Sequence, residues 1–295
     1  MKKLLIFSMI MILALGTLTG CGESEKVIKI GHKNYTEQRI VGQLFAKIIE
    51  AKTEYETDVT EFGSTSIVFG ALQEGEVDLY GEYTGTAYAA QLSESGLKDP
   101  QKVYDYVKES FEEEFNLYWL NELGFNNTYT FSVRPEVAEE YNLETISDLT
   151  EVSDELVLGA VMEFIEREDG LPGVKQHYGG FEFEDVTALD PGLRYNAVEQ
   201  GDVDVIDAFS TDGKIVVYDL KVLEDDKQFF PPYFAAPVVT EELYNEYPEV
   251  VEVLNELNQI ATDKDMQELN YKVGEEGMNP EDVAEEFLRE KGLIE

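Results

Sequence analysis

FGALQEGEVDLYGEYTGTAY, residues 69–88, is the stretch whose reading decides the fold. Val68, Phe69, Ala71 and Leu72 close an apolar helix, and Gly75 follows where a left-handed helix stop suits glycine. Val77-Asp78-Leu79-Tyr80 then reads as a short strand, with Gly81 to Thr86 a loop off its C-terminal end. In open α/β sheets, ligands bind in the crevice beyond such strand ends. The loop offers Tyr83 as a ring face, Thr84 and Thr86 as hydroxyls, and Gly85 where a backbone must come close. These are the parts of a small-molecule site.

The pattern recurs. Residues 197–213, AVEQGDVDVIDAFSTDG, repeat 71–87, ALQEGEVDLYGEYTGTA, at an offset of 126 (71 to 197). Ala71 falls on Ala197, Gly75 on Gly201, Val77-Asp78 on Val203-Asp204, and Tyr83 on Phe209. One duplication is too few for a solenoid. It fits two similar α/β lobes, each turning a strand-end loop toward a shared cleft.

Upstream, VIKIG at 27–31 alternates like a strand, and Thr36 can cap a helix striped by Ile40, Leu44, Ile48 and Ile49. A second strand at 56–62 and a Gly63-Ser64-Thr65-Ser66 cap complete a βαβ pattern, which implies a parallel sheet. Asn126-Asn127-Thr128-Tyr129 is a turn leading into a strand, and Phe229-Phe230-Pro231-Pro232-Tyr233 is a second break whose prolines fix an extended path. These two segments read as hinge crossings. They divide the chain into lobe one, 27–128 and 233–295, and lobe two, 129–232. Four helices after residue 240 pack on lobe one in this reading.

The 62 acidic residues against 22 basic ones leave a net charge of −40, a surface that repels nucleic acid and anionic membranes. Lys2-Lys3 and the apolar run Leu4 to Leu15 form a signal segment over 1–20, too short to span a bilayer. Leu18-Thr19-Gly20-Cys21 resembles the bacterial lipobox. The expected consequence is a lipidated Cys21 on the short tether 21–26, holding the protein to a membrane from outside. Cys21 is the only cysteine, so neither an internal disulfide nor a thiolate metal cluster is available.

Catalysis is poorly supplied. His32 and His177 lack ligand spacing, and no GxSxG, HExxH or phosphate-binding glycine loop occurs. Neither cofactor nor metal is expected. Among 17 tyrosines, Tyr83, Tyr129, Tyr195 and Tyr233 lie at punctuated segments rather than on apolar helical stripes. Each alone would be ordinary half-buried packing. Together they could form an aromatic cage, the usual receptor for a quaternary ammonium, whose methyl groups carry no N–H for a carboxylate to accept.

Several stretches carry a resemblance: IGHKNYTEQ (30–38), EGEVDLYGEYTGTAY (74–88), GFNNTYTFSVR (124–134) and MEFIEREDGLPGVKQHYG (162–179). LRYNAVEQGDVDVIDAFSTDGKI (193–215) and LEDDKQFFPPYFAAPVV (223–239) continue it. The chain resembles the substrate-binding lipoproteins of quaternary-amine ABC importers, the glycine betaine/carnitine/choline group. The resemblance implies the two-lobed type II periplasmic-binding-protein fold and an ABC permease as partner. It also implies a tyrosine box of Tyr83, Tyr129, Tyr195 and Tyr233, with Lys33, Thr86 and Arg167 receiving a ligand carboxylate. Asn127 stands where some relatives have Asp, leaving an orienting contact. Glu163 is a second-rank candidate, an i,i+4 neighbour of Arg167. The implied function is capture of glycine betaine, proline betaine or carnitine for import. An extracellular enzyme acting on a betaine or sugar, or a receptor for other cationic amines, are the alternatives.

Overall fold

The computed structural model describes residues 26–166, 170–190 and 192–295, with no side chain given for Glu163. The signal segment 1–20, Cys21 and Arg167 lie outside the described residues. The chain opens β1 (Ile28–Lys33), α1 (Thr36–Lys52), β2 (Thr57–Phe62), α2 (Thr65–Gln73) and β3 (Leu79–Tyr83). Here β1 pairs in parallel with both β2 and β3. This is the βαβ unit expected, and Ser64 caps α2 by accepting from Ile67 N at 3.4 Å. Thr36 does not cap α1; it is its first residue, behind Tyr35.

After α3 (Pro100–Phe115), β4 (Leu117–Trp119) joins this sheet, and after a long excursion so does β10 (Ala235–Thr240), in the order β2-β1-β3-β10-β4. The intervening chain builds a second sheet from β5 (Tyr129–Val133), β6 (Val157–Ala160), β7 (Asp185–Ala188), β8 (Val205–Phe209) and β9 (Lys221–Val222). Its order, β7-β6-β8-β5-β9, reproduces the first sheet strand for strand. Two mixed sheets flanked by helices make the two-lobed α/β architecture. Strand β10 runs antiparallel to β3, and β5 antiparallel to β8, so neither sheet is purely parallel.

The internal repeat has matching hydrogen bonds. Asp78 Oδ2 accepts from Lys29 N at 2.7 Å, and Asp204 Oδ2 accepts from Val157 N at 3.0 Å. The amide of each aspartate returns a bond to the same strand, 2.8 Å to Lys29 O and 2.9 Å to Val157 O. Gly75 (φ 71°) ends α2, and Gly201 (φ 77°) ends α4 (Leu193–Gln200), both in the left-handed region that glycine enters without steric cost. Both strands start two residues later than the sequence suggests, because Val77-Asp78 and Val203-Asp204 turn the chain before pairing begins.

The first sheet is covered on one face by α1 with α5 (Asp263–Gly274) and α6 (Pro280–Glu290). There Ile40, Leu44 and Ile48 share a core with Met266, Val283 and Phe287. Its other face packs α2 and α3 through Leu72, Val107 and Phe111. The C-terminal helices α5 and α6 thus share the core of the first sheet. No helix of the described residues is long and apolar enough to cross a membrane.

Candidate functional site

Two equivalent strand pairs bring aromatic rings to one place. In lobe one, Tyr83 ends β3 opposite Ala235 of β10, with Tyr233 two residues ahead on the incoming chain. In lobe two, Phe209 ends β8 directly opposite Tyr129, the first residue of β5. The rings of Tyr129 and Phe209 lie 4.6 Å apart at 33°. The two crossings hold each other side by side. Asn127 N donates to Tyr233 O at 3.1 Å, and Tyr233 N donates to Asn126 Oδ1 at 2.6 Å. Thr84 clamps the second crossing from below, its hydroxyl donating to Pro232 O and accepting from Phe234 N, both at 3.1 Å. A Cβ on Gly85 would meet Pro232 O at 2.6 Å and the Tyr233 ring at 2.8 Å. Only glycine lets the turn come that close.

The result is a cavity of about 700 Å³ between the lobes. Tyr35, Tyr83, Tyr129, Phe209 and Tyr233 supply its rings, and Thr86, Asn127, Asp212, Lys214 and Asn270 its polar rim. The YTGT segment is not an open loop: β3 runs on to Tyr83, and Thr84–Thr86 forms a helical turn. That turn keeps Thr86 half-buried at the wall.

Below the rings lies Glu37, in the first turn of α1 and only 3% exposed. Its carboxylate accepts from Tyr83 Oη at 2.6 Å, Asn127 Nδ2 at 2.8 Å and Asn270 Nδ2 at 3.1 Å. Burial raises its pKa, opposed by these bonds and one from Thr211. Burial first, and then the Glu37 charge, push the Tyr83 hydroxyl well above its ordinary value, so this ring stays neutral. Asn270 Nδ2 also donates to Thr211 O at 2.8 Å, tying α5 to the loop after β8.

Residues 26–290 match the family described as the substrate binding domain of ABC-type glycine betaine transport system. The chain belongs to this family. The carnitine transport binding protein OpuCC of Listeria monocytogenes is 37% identical over 303 residues, covering 100% of this chain and 98% of the relative. The ergothioneine transport permease/ergothioneine binding protein EgtU of Helicobacter pylori is 38% identical over 276 residues, 91% of this chain and 48% of that one. A solved structure of a glycine betaine/carnitine/choline ABC transporter protein superposes with a TM-score of 0.87 at 38% identity, covering 91% of this chain and all of that one.

Of the residues expected from the family's tyrosine box, three meet at the cavity: Tyr83, Tyr129 and Tyr233. Thr86 and Asn127 join them. Tyr195 does not. It lies within α4, 1% exposed, stacked on Tyr218 at 5.9 Å, with its hydroxyl on the Asp212 carboxylate. Buried there, its pKa is pushed far up, and the Arg194 guanidinium already lies 5.2 Å from its ring centroid. Phe209 lines the cavity in the place Tyr195 was expected to fill, and the offset of 126 that sets Phe209 on Tyr83 was the signal for it.

Lys33 is likewise engaged elsewhere. Its Nζ pairs with Glu82 at 2.5 Å, both side chains being nearly inaccessible. Glu82 also accepts from Tyr83 N at 2.8 Å, Gln91 Nε2 at 2.8 Å and Tyr80 Oη at 3.0 Å. The pair locks the end of β1 to β3 beneath the ring of Tyr83. Sequence reading also passed over Tyr35, Glu37 and Asn270. All three carried a hint, since Tyr35 and Glu37 fall in IGHKNYTEQ and Asn270 in MQELNY (266–271), a further stretch that carries the family resemblance.

Proposed function

We propose that this family member binds a zwitterionic quaternary ammonium compound in the cleft and delivers it to an ABC permease, without making or breaking a bond. The observation that carries the reading is the convergence of Tyr83, Tyr129, Tyr233 and Phe209 from two equivalent strand pairs. A trimethylammonium group spreads its charge over methyl groups that cannot donate conventional hydrogen bonds, and ring faces attract it at roughly 0.5–2 kcal/mol each when desolvated. A phenylalanine serves as well as a tyrosine at one wall, because the face and not the hydroxyl is used. The family resemblance implies that Thr86 supplies a hydroxyl for a carboxylate and Arg167 a bidentate fork. Lys33 is assigned to Glu82 instead. Carnitine and ergothioneine, the ligands in the names of the two relatives, both join a trimethylammonium to a carboxylate, which supports the class.

Four rings and a held carboxylate support about −8 kcal/mol, a dissociation constant on the order of micromolar. Closure about the crossings Asn127 to Tyr129 and Pro231 to Tyr233 would dry the cage. We further propose the protein is exported and held outside the membrane by lipidated Cys21. A Cys21→Ala variant should then appear in the culture medium. The function is tested by calorimetry with glycine betaine, proline betaine, carnitine and choline, followed by recovery of the ligand. Micromolar binding of the betaines or carnitine, choline at least about tenfold weaker, and unchanged ligand support the reading. Equal choline binding removes the carboxylate clamp, and turnover makes the protein an enzyme.

A further inference from the structure

Glu37 has no role in the reading above, yet it is the most deeply enclosed carboxylate of the cavity. Asp212 is only half-buried and Glu275 exposed, whereas Glu37 is 3% exposed. All the donors it receives from Tyr83, Asn127, Asn270 and Thr211 are neutral. Among the described residues no lysine or arginine pairs with it. The other buried acids facing the lobes differ: Glu82 has Lys33 and Asp207 has Arg194, 2.6 Å away. Glu37 is therefore surrounded by neutral donors and the field of the α1 N-terminus, with no cationic partner among the described residues.

We propose that Glu37 is the counter-charge of the bound ammonium, selecting a cationic headgroup over its uncharged isostere and loosening the ligand's hold on acidification. The inference rests on the quaternary ammonium reading. The cation need not touch the carboxylate. Glu37 itself lines the cavity, and Tyr83 sets its hydroxyl on Glu37 and its ring at the cavity wall, so the charge both fixes the ring and enriches its face. In a water-poor cleft an unpaired anion acts over several ångströms.

The sign of the pH effect follows from linkage. Burial holds the Glu37 pKa above its ordinary range, and a bound cation favours the ionised form and lowers it. Affinity is then greatest above the pKa of the empty protein and falls as pH drops through it, with a proton released on binding in that window. The other charged or titratable groups around it are Tyr35 and Tyr83, the Lys33–Glu82 pair, Asp212 and Lys214 across the cleft, and Glu275 beside α5.

The test compares glycine betaine with 3,3-dimethylbutanoate, which has the same shape with carbon replacing nitrogen, on wild type and Glu37→Gln. Wild type should prefer glycine betaine by at least about a hundredfold at about pH 7.5 and lose affinity toward about pH 5. Glu37→Gln should cut the preference about tenfold, leave the isostere's affinity unchanged, and flatten the pH profile. An unchanged preference and profile in the variant overturns the proposal while leaving the betaine reading intact. Failure of wild type to bind glycine betaine defeats that reading itself. If the variant does not fold, wild-type calorimetry in two buffers of different ionisation heat replaces it. Proton release on binding supports the proposal, and none at any pH overturns it.

Discussion

Phe209 and Tyr195 show how one residue's neighbours decide its role. Both are aromatic, both sit in lobe two, and only 14 positions separate them. Tyr195 lies on the buried face of α4 with a ring partner and a carboxylate for its hydroxyl; Phe209 is 38% exposed at a strand end, its ring tilted at 33° against Tyr129 and lining the cleft. The two should therefore fail differently on truncation. Phe209→Ala should weaken glycine betaine about tenfold or more and leave the melting temperature almost unchanged, while Phe209→Tyr should be mild. Tyr195→Ala should chiefly destabilise, by about 3–5 kcal/mol as large buried rings do. Calorimetry and thermal melts on the same preparations check both; a Tyr195→Ala protein that melts normally but no longer binds would return Tyr195 to the cage.

At the scale of elements, the site depends on how closely the turn after β3 approaches the second crossing. Gly85→Ala places a methyl group against Pro232 O and the Tyr233 ring, so the crossing must move. The expected outcome is a loss of glycine betaine affinity of tenfold or more by calorimetry, with Tyr233 displaced in a crystal structure of the variant. Much of this level was legible. The repeat at offset 126, the Gly75 helix stop and the βαβ unit follow from local pattern, because turn chemistry and apolar periodicity act over a few residues. What was not legible depends on partners remote in sequence. Strand β3 reaches Tyr83 because β10, more than 150 residues later, pairs with it. Lys33 reads as a free cation beside a binding loop until Glu82, 49 residues on, is seen to hold it. Tyr195 stands out in the sequence because Pro191 and Gly192 punctuate the chain before it, yet it lies inside α4, which begins at Leu193.

Across the whole molecule the net charge of −40 creates a field that draws cations of every kind, and the cage must be distinguished from it. Some of that charge opposes the fold. Glu122, half-buried after β4 with Oε1 lacking a hydrogen-bond partner among the described residues, has its pKa pushed up to about 7, by burial first and Asp105 second. An acid whose pKa is raised on folding costs stability above that pKa, and the cost fades as pH falls toward the unfolded value of about 4.3. Glu122→Gln should raise the melting temperature by a few degrees at about pH 8, with the gain shrinking toward pH 5; an equal gain at both pH values would point to packing instead. The field and the cage part company in salt, which shortens electrostatic reach from about 10 Å at 0.1 M to about 3 Å at 1 M. Titration of glycine betaine by calorimetry at both salt concentrations is accordingly the most direct test of the aromatic cage. The account predicts one site per chain with a dissociation constant on the order of micromolar that changes by less than about threefold. Binding that vanishes at 1 M salt would show that the acidic surface, and not the rings of Tyr83, Tyr129, Phe209 and Tyr233, holds the cation.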